Sequence, residues 1–270
     1  MTMPRGLRIA LVGFTTLVLA VIYAPLGLVL LNSFNTSRSF GWPPTGLTWH
    51  WWSVAAHSSG ARNALWVSVQ VALLAMVIAL VLGTLASMAL RKTRFFGRNV
   101  VSLLIILPIA LPGIVTGIAL NNAFTSLFGL RLGFFTIVVA HATFCIVTVF
   151  NNVQARLRRL GNNFEEASMD LGAGTFMTFR LVTFPMLRSA LLAGGLLAFA
   201  LSFDEIVVTT FTVGSAQQTL PLWILNNMFR IQQAPVVNVV AAAVILLSVV
   251  PIYFAQRLSG SASGGLTGAR

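Results

Sequence analysis

Apolar residues run through this chain in long blocks separated by short polar connectors. The blocks fall at about 9–31, 63–90, 100–120, 134–155, 190–212 and 236–256, and the shortest spans 21 residues. An α-helix needs about 20 apolar residues to cross the ~30 Å hydrocarbon layer of a bilayer. The blocks are too long for strands and too uniformly apolar for the surface helices of a soluble domain. The pattern predicts an all-α, polytopic membrane protein with six transmembrane helices. The first block, Ile9 to Leu31, has 23 residues behind a segment carrying Arg5 and Arg8. That exceeds the apolar core of a cleaved signal peptide, so it reads as a retained first span.

Composition supports this reading. Hydrophobic residues make up 57% of the 270 and charged residues 8%, with mean hydropathy +0.89. A soluble domain carries about a quarter charged residues. The net charge of +12 would suit nucleic acid, but the arginines gather in the connectors, where membrane topology places them. Alternate connectors hold Arg5 and Arg8; Arg91, Lys92, Arg94 and Arg98; Arg156, Arg158, Arg159, Arg180 and Arg188; and Arg257 and Arg270, thirteen of the seventeen basic residues. The opposite set holds Arg38, Arg62, Arg131 and Arg230. The positive-inside rule therefore predicts that both termini are cytoplasmic. The single cysteine, Cys145, reads as a small packing residue, and no metal site is expected around it.

The connectors differ in character. Segment 32–62 contains Trp42, Pro43, Pro44, Trp49, Trp51 and Trp52, an aromatic anchor suited to the outer interface. Segment 213–235 predicts a short amphipathic helix on the outer surface, with Pro221 in its first turn. The tail, 259–270, is Gly/Ser-rich and reads as flexible, leaving 1–258 as the membrane domain. Pro108, Pro112 and Gly113 form the densest helix-breaking cluster and predict either a bend or close packing in the third span.

Acids are scarce, and their placement is the sharpest chemical signal. All five lie between positions 165 and 205: Glu165, Glu166 and Asp170 in a polar connector, Asp204 and Glu205 inside the fifth apolar block. A carboxylate at mid-bilayer costs roughly 2.5–3.5 kcal/mol on insertion scales, so such a group faces water or a partner. Two readings stay open for the pair: a cation-attracting site near the outer mouth of a pathway, or structural acids satisfied by a neighbouring span, with Arg230 a candidate partner. On a continuous helix neighbours differ by about 100°, so only one of the two would face a given point. The lone His141 reads as a packed polar contact.

Residues 156–189 form the long cytoplasmic connector. Asn163 is placed to cap a helix over Phe164-Glu-Glu-Ala-Ser-Met-Asp-Leu171, with Glu166 completing a capping box. Gly172 predicts a stop with positive φ. A second short helix is expected from near Thr175 to before Pro185. Glu166-Ala167-Ser168, three residues, Gly172, nine residues and Val182-Thr183-Phe184-Pro185 together resemble the EAA loop of ABC-importer permeases. That pattern is Glu-Ala-Ala, three residues, Gly, nine residues, Ile, any residue, Leu-Pro. The spacing matches throughout; Ser168, Val182 and Phe184 depart conservatively.

The resemblance implies the fold of a type I ABC-importer permease in a bacterial inner membrane. It further implies that the 156–189 loop inserts into a cleft of an ATPase subunit, with Glu165, Glu166, Ala167, Asp170, Gly172 and Pro185 at the coupling surface. The partners implied are an ABC ATPase dimer, a second permease subunit, an extracytoplasmic solute-binding protein and the bilayer. No phosphate-binding Gly-x-x-x-x-Gly-Lys-Ser/Thr loop occurs in the chain. No cofactor is expected in this chain, ATP and magnesium belonging to the partner ATPase, and no catalytic residue is assigned.

Ser202-Phe-Asp-Glu-Ile-Val-Val-Thr-Thr-Phe211, Gln218-Thr-Leu-Pro-Leu-Trp223, Arg131-Leu-Gly-Phe-Phe-Thr136, Ala140-His-Ala-Thr-Phe-Cys145 and Asn32-Ser-Phe-Asn35 resemble the spermidine/putrescine branch of these permeases. That branch implies polycations as cargo and Asp204 and Glu205 as pathway residues. Another organic cation, an amino-acid-like solute or a metal complex is the alternative cargo. An ion-coupled secondary transporter is the competing class, disfavoured by the loop and by the lack of an inverted repeat.

Overall fold

The computed structural model describes residues 4–38, 43–92, 96–161 and 163–263, with side chains as far as Ser248 apart from Lys92. Trp42, Arg94, Arg270 and the last seven residues of the expected tail lie outside the described residues. In chain order the helices are α1 (Arg5–Asn32), α2 (His50–His57), α3 (Ser59–Lys92), α4 (Arg98–Ala110), α5 (Gly113–Asn122), α6 (Phe134–Leu160), α7 (Asn163–Asp170), α8 (Thr175–Thr178), α9 (Phe184–Phe203), α10 (Val207–Thr212), α11 (Leu220–Asn227) and α12 (Ala234–Ser263). π-turns at Ala123–Leu127 and Phe179–Thr183 extend α5 and join α8 to α9. Among the described residues the only strand-like pairing is an isolated bridge between Asn35 and Leu47.

By contacts the chain divides into two compact units, Met1–Arg62 with Ile224–Arg270, and Asn63–Trp223. In the first unit α12 packs against α1 and α2. Asn35 organises the segment after α1: its Oδ1 accepts from the amides of Ser37 at 3.1 Å and Thr45 at 3.3 Å. Phe34 stacks on Trp52 and meets Trp49 edge-on, with ring centroids 5.4 and 4.8 Å apart.

The second unit is built around α6, whose residues Ile137, Cys145, Val149, Phe150 and Val153 are fully buried. Small side chains let its neighbours approach. Ala72, Ala75, Ala79 and Gly83 recur along one face of α3, and a Cβ on Gly83 would lie 3.0 Å from the Ile146 carbonyl oxygen of α6. Ser87 Oγ donates to the Phe150 carbonyl across the same seam at 2.9 Å. This small-residue packing is how helices associate where lipid removes the hydrophobic incentive. The outer faces stay apolar: Leu85, Leu103 and Leu196 are all exposed, a surface that water would not tolerate but hydrocarbon does.

Four helices are long and apolar enough to cross a membrane: Arg5–Asn32, Ser59–Arg91, Phe134–Leu160 and Thr175–Phe203. A fifth span arises only if α4 and α5, bent by 106°, count as one. The expected six is therefore not reached among the described residues. For the sixth block, helix α12 runs to Ser263, so the first residues of the expected flexible tail are helical. The bend falls where the Pro cluster lies. Leu111, ahead of Pro112, is extended at φ −82° and ψ 147°, as the proline ring demands of its predecessor.

Two expectations need correction. The helix from Thr175 does not stop before Pro185 but continues to Phe203. In a regular helix the Pro185 ring would clash with the Leu181 carbonyl; the π-turn holding Leu181 widens the helix there and removes the clash. The fifth block is not a continuous helix to residue 212, because α9 ends at Phe203 and α10 begins at Val207. Helix α11 has the two faces of an amphipathic helix: Leu220, Leu222 and Trp223 are buried while Leu225 and Asn226 are exposed, and the Leu220 amide donates to Ser68 Oγ at 2.7 Å.

Candidate functional site

Two features carry the chain's acids, both in the Asn63–Trp223 unit. The first is the α7–α8 protrusion. Helix α7 closes with a Schellman arrangement: the Ala173 amide donates to the Ser168 carbonyl at 3.1 Å and the Gly172 amide to the Met169 carbonyl at 2.9 Å. Gly172 sits at φ +88°, the expected left-handed stop. Ser168 Oγ and Thr178 Oγ1, 3.1 Å apart, then tie α7 to α8.

Glu165 faces inward. Its Oε1 accepts from Thr183 Oγ1 at 2.9 Å and pairs with Arg91 Nη1 at 3.5 Å. Arg91 also donates through Nη2 to the Gly161 carbonyl, and Arg156 Nε donates to the Met186 carbonyl at 3.0 Å. The protrusion is thereby pinned to the ends of α3, α6 and α9. Glu166, Ala167, Asp170, Gly172 and Pro185 remain exposed. Beside them Phe164, Leu171, Phe176 and Met177 present bare apolar side chains, Leu171 at 90% exposure. An exposed surface of apolar knobs flanked by the exposed carboxylates of Glu166 and Asp170 is suited to a protein groove. Arg91 and Thr183 were not singled out in the sequence; the only signal for Arg91 was its membership of a basic connector.

The second feature is the break between α9 and α10, which gives Asp204 and Glu205 different surroundings. Asp204 follows the last turn of α9 and is exposed, with no hydrogen bond or ion pair to its carboxylate among the described residues. Glu205 is partly buried, and its Oε1 accepts from the Val208 amide at 2.8 Å, capping α10. That amide is one of the orphan donors of a helix start. The far end of α10 is satisfied from other helices: Asn121 Nδ2 donates to the Phe211 carbonyl at 2.5 Å, and Thr136 Oγ1 lies 2.8 Å from the Thr212 carbonyl.

Helix α10 reaches its place because α5 offers a glycine face. A Cβ on Gly117 would fall 2.6 Å from Phe211 Cδ2, and one on Gly113 3.3 Å from Val207 Cγ1. Across the break sits His141, fully buried in α6. Its Nδ1 is 2.8 Å from Ser202 Oγ and its Nε2 2.8 Å from Thr209 Oγ1. The packed polar contact expected for His141 is therefore present. Cys145 is also buried, with Sγ 3.3 Å from the Ala198 carbonyl. Among the described residues no three His, Cys, Asp or Glu side chains gather as a metal site.

Comparison with known proteins fits this architecture. Residues 79–262 match the family described as the binding-protein-dependent transport system inner membrane component. The spermidine/putrescine transport system permease protein PotC of Escherichia coli (strain K12) is 34% identical over 95% of this chain and 96% of its own. The putrescine transport system permease protein PotI of the same strain is 34% identical over 90% of this chain and 86% of its own. In fold the chain is similar to one from a crystal structure of a bacterial ABC transporter involved in the import of the acidic polysaccharide alginate. That likeness has a TM-score of 0.67 at 19% identity and covers 97% of this chain and 99% of the other. The chain is a multi-pass membrane protein and belongs to the family of binding-protein-dependent inner membrane transport components, the permease subunits of ABC transporters.

Proposed function

We propose that this permease carries polyamines, of the putrescine and spermidine class, into the cytoplasm, and that Asp204 is the pathway carboxylate. The observation that carries the reading is the exposed Asp204 at the C-terminal end of α9. That end bears carbonyl groups without helical donors and the negative pole of the helix dipole. An ammonium group entering there exchanges water for a carboxylate and carbonyl oxygens, the ligands that replace a cation's hydration in a membrane. Glu205 is engaged in capping α10 and serves the structure of the break. The permease names of the 34%-identical relatives support the same cargo.

The remaining parts follow from the family. The α7–α8 protrusion docks into an ABC ATPase dimer, with Glu166, Asp170 and Gly172 at the contact and Glu165 bracing it from behind. ATP and magnesium are held by that partner and this chain is non-catalytic. A second permease subunit completes the pathway, and a solute-binding protein delivers cargo outside. Both termini lie in the cytoplasm, on the side of the thirteen basic residues. The test is uptake of labelled putrescine and spermidine into vesicles holding the co-expressed complex, with and without ATP. ATP-dependent uptake of either is expected. Failure of both, while a loaded binding protein still stimulates ATP hydrolysis, would discard the cargo and keep the permease.

A further inference from the structure

We infer that His141 is a positioning residue: by bonding a hydroxyl on each side of the α9–α10 break, it fixes the break in the geometry that presents Asp204. The inference rests on the proposed role of Asp204 and names what sets that residue's place. Ser202 lies in the last turn of α9 and Thr209 in α10, so the two bonds to His141 span the interrupted segment. The ring, Ser202 and Thr209 are all buried, where an unmade hydrogen bond costs more than in water.

The donors sort themselves by a chain of exclusions. Thr209 has one hydroxyl proton and gives it to the Glu205 carbonyl at 2.9 Å. Its oxygen therefore accepts from His141, which places the ring proton on Nε2. Nδ1 is then the acceptor and takes the proton of Ser202. One neutral imidazole thus donates to α10 and accepts from α9. Few side chains do both at this reach, and an apolar residue of equal size does neither. Without the ring, the last turn of α9 and the short six-residue α10 lose their hydroxyl ties to α6, and Asp204 is carried on a less firmly held turn.

The test compares His141→Leu, His141→Gln and His141→Asn in the full complex, alone and combined with Asp204→Asn. Gln keeps a donor near Thr209 and Asn keeps a polar atom near Ser202. His141→Leu should lower polyamine uptake per ATP hydrolysed about tenfold, the loss of two neutral buried hydrogen bonds. The Gln and Asn variants should each fall between. On the Asp204→Asn background the same His141→Leu change should add little, because His141 acts through Asp204. Equal effects on both backgrounds would overturn the inference and leave His141 a packing residue. No effect of Asp204→Asn itself would instead discard the pathway role of Asp204. A second measurement keeps the latch testable in that event. Spin labels at Leu201 and Thr210, both exposed, should give a narrow distance distribution that broadens in His141→Leu. An unchanged distribution would overturn the latch directly.

Discussion

The guanidinium of Arg91, at the end of α3, pairs with the carboxylate of Glu165 in α7 across 74 positions of sequence. Both side chains are largely shielded, at 17% and 12% exposure, and Thr183 donates to the same carboxylate oxygen. Removing Arg91 takes the ion pair away from a partly buried carboxylate that keeps its Thr183 donor, at a local cost of about 1–3 kcal/mol. Arg91→Ala should therefore raise amide exchange in residues 163–171 by roughly one to two orders of magnitude while the α6 core stays protected. Unchanged exchange in α7 would mean the pair contributes nothing to holding the protrusion.

Gly172 offers a cleaner probe of coupling. Its φ of +88° is strained for any L side chain, and a Cβ there meets no atom within 4 Å. The left-handed conformation costs roughly 1–2 kcal/mol for a non-glycine residue, and more for a β-branched one. Gly172→Val should leave the complex inserted and assembled but abolish the stimulation of ATP hydrolysis by loaded binding protein. Normal uptake by this variant would remove the turn from the coupling mechanism.

Asp204 and Glu205 should respond unequally to the same isosteric change. Glu205→Gln keeps an oxygen able to accept from the Val208 amide, so uptake should fall by no more than about twofold. Asp204→Asn removes the exposed charge, and uptake should fall tenfold or more, on the order of one charge-assisted contact. Comparing initial uptake rates at equal amounts of complex decides between them; a reversed order would reassign the pathway residue.

The packing of α5 on α10 is tight enough to test by a single methyl group. Gly117→Ala places a Cβ 2.6 Å from Phe211 Cδ2, an overlap that costs about 1–3 kcal/mol. The purified complex should melt several degrees lower, and Phe211→Leu in the same chain should recover part of the loss. Destabilisation without such recovery would place the clash elsewhere.

The features legible in the sequence are those set locally. The helical blocks, the Gly172 stop, the bend at Pro112 and Pro221 in the first turn of α11 all follow from nearby residue types. The missed features are set from afar. No glycine or proline marks the break after Phe203, and apolar residues resume directly beyond Asp204 and Glu205. What holds it open comes from His141, 61 residues before Ser202, and Asn121, 90 before Phe211. Pro185 misled for another reason: a π-turn just upstream neutralises a signal that ends ordinary helices. At the site itself, the sequence located the acids but not their different surroundings, because the bond from the Val208 amide to Glu205 forms only in the folded chain.

Thr175 to Phe203 form one helical rod of 29 residues, about 43 Å long at 1.5 Å per residue. Its first turn belongs to the protrusion and its last residue adjoins Asp204. A rod of that length is a lever arm: tilting it by about 6° swings the far end by roughly 4 Å. Motion imposed at one end therefore needs no relay of side chains to be felt at the other. The π-turn at Phe179–Thr183 interrupts the regular α-helical bonding of that rod, and any bending there subtracts from the rotation that arrives at the carboxylate.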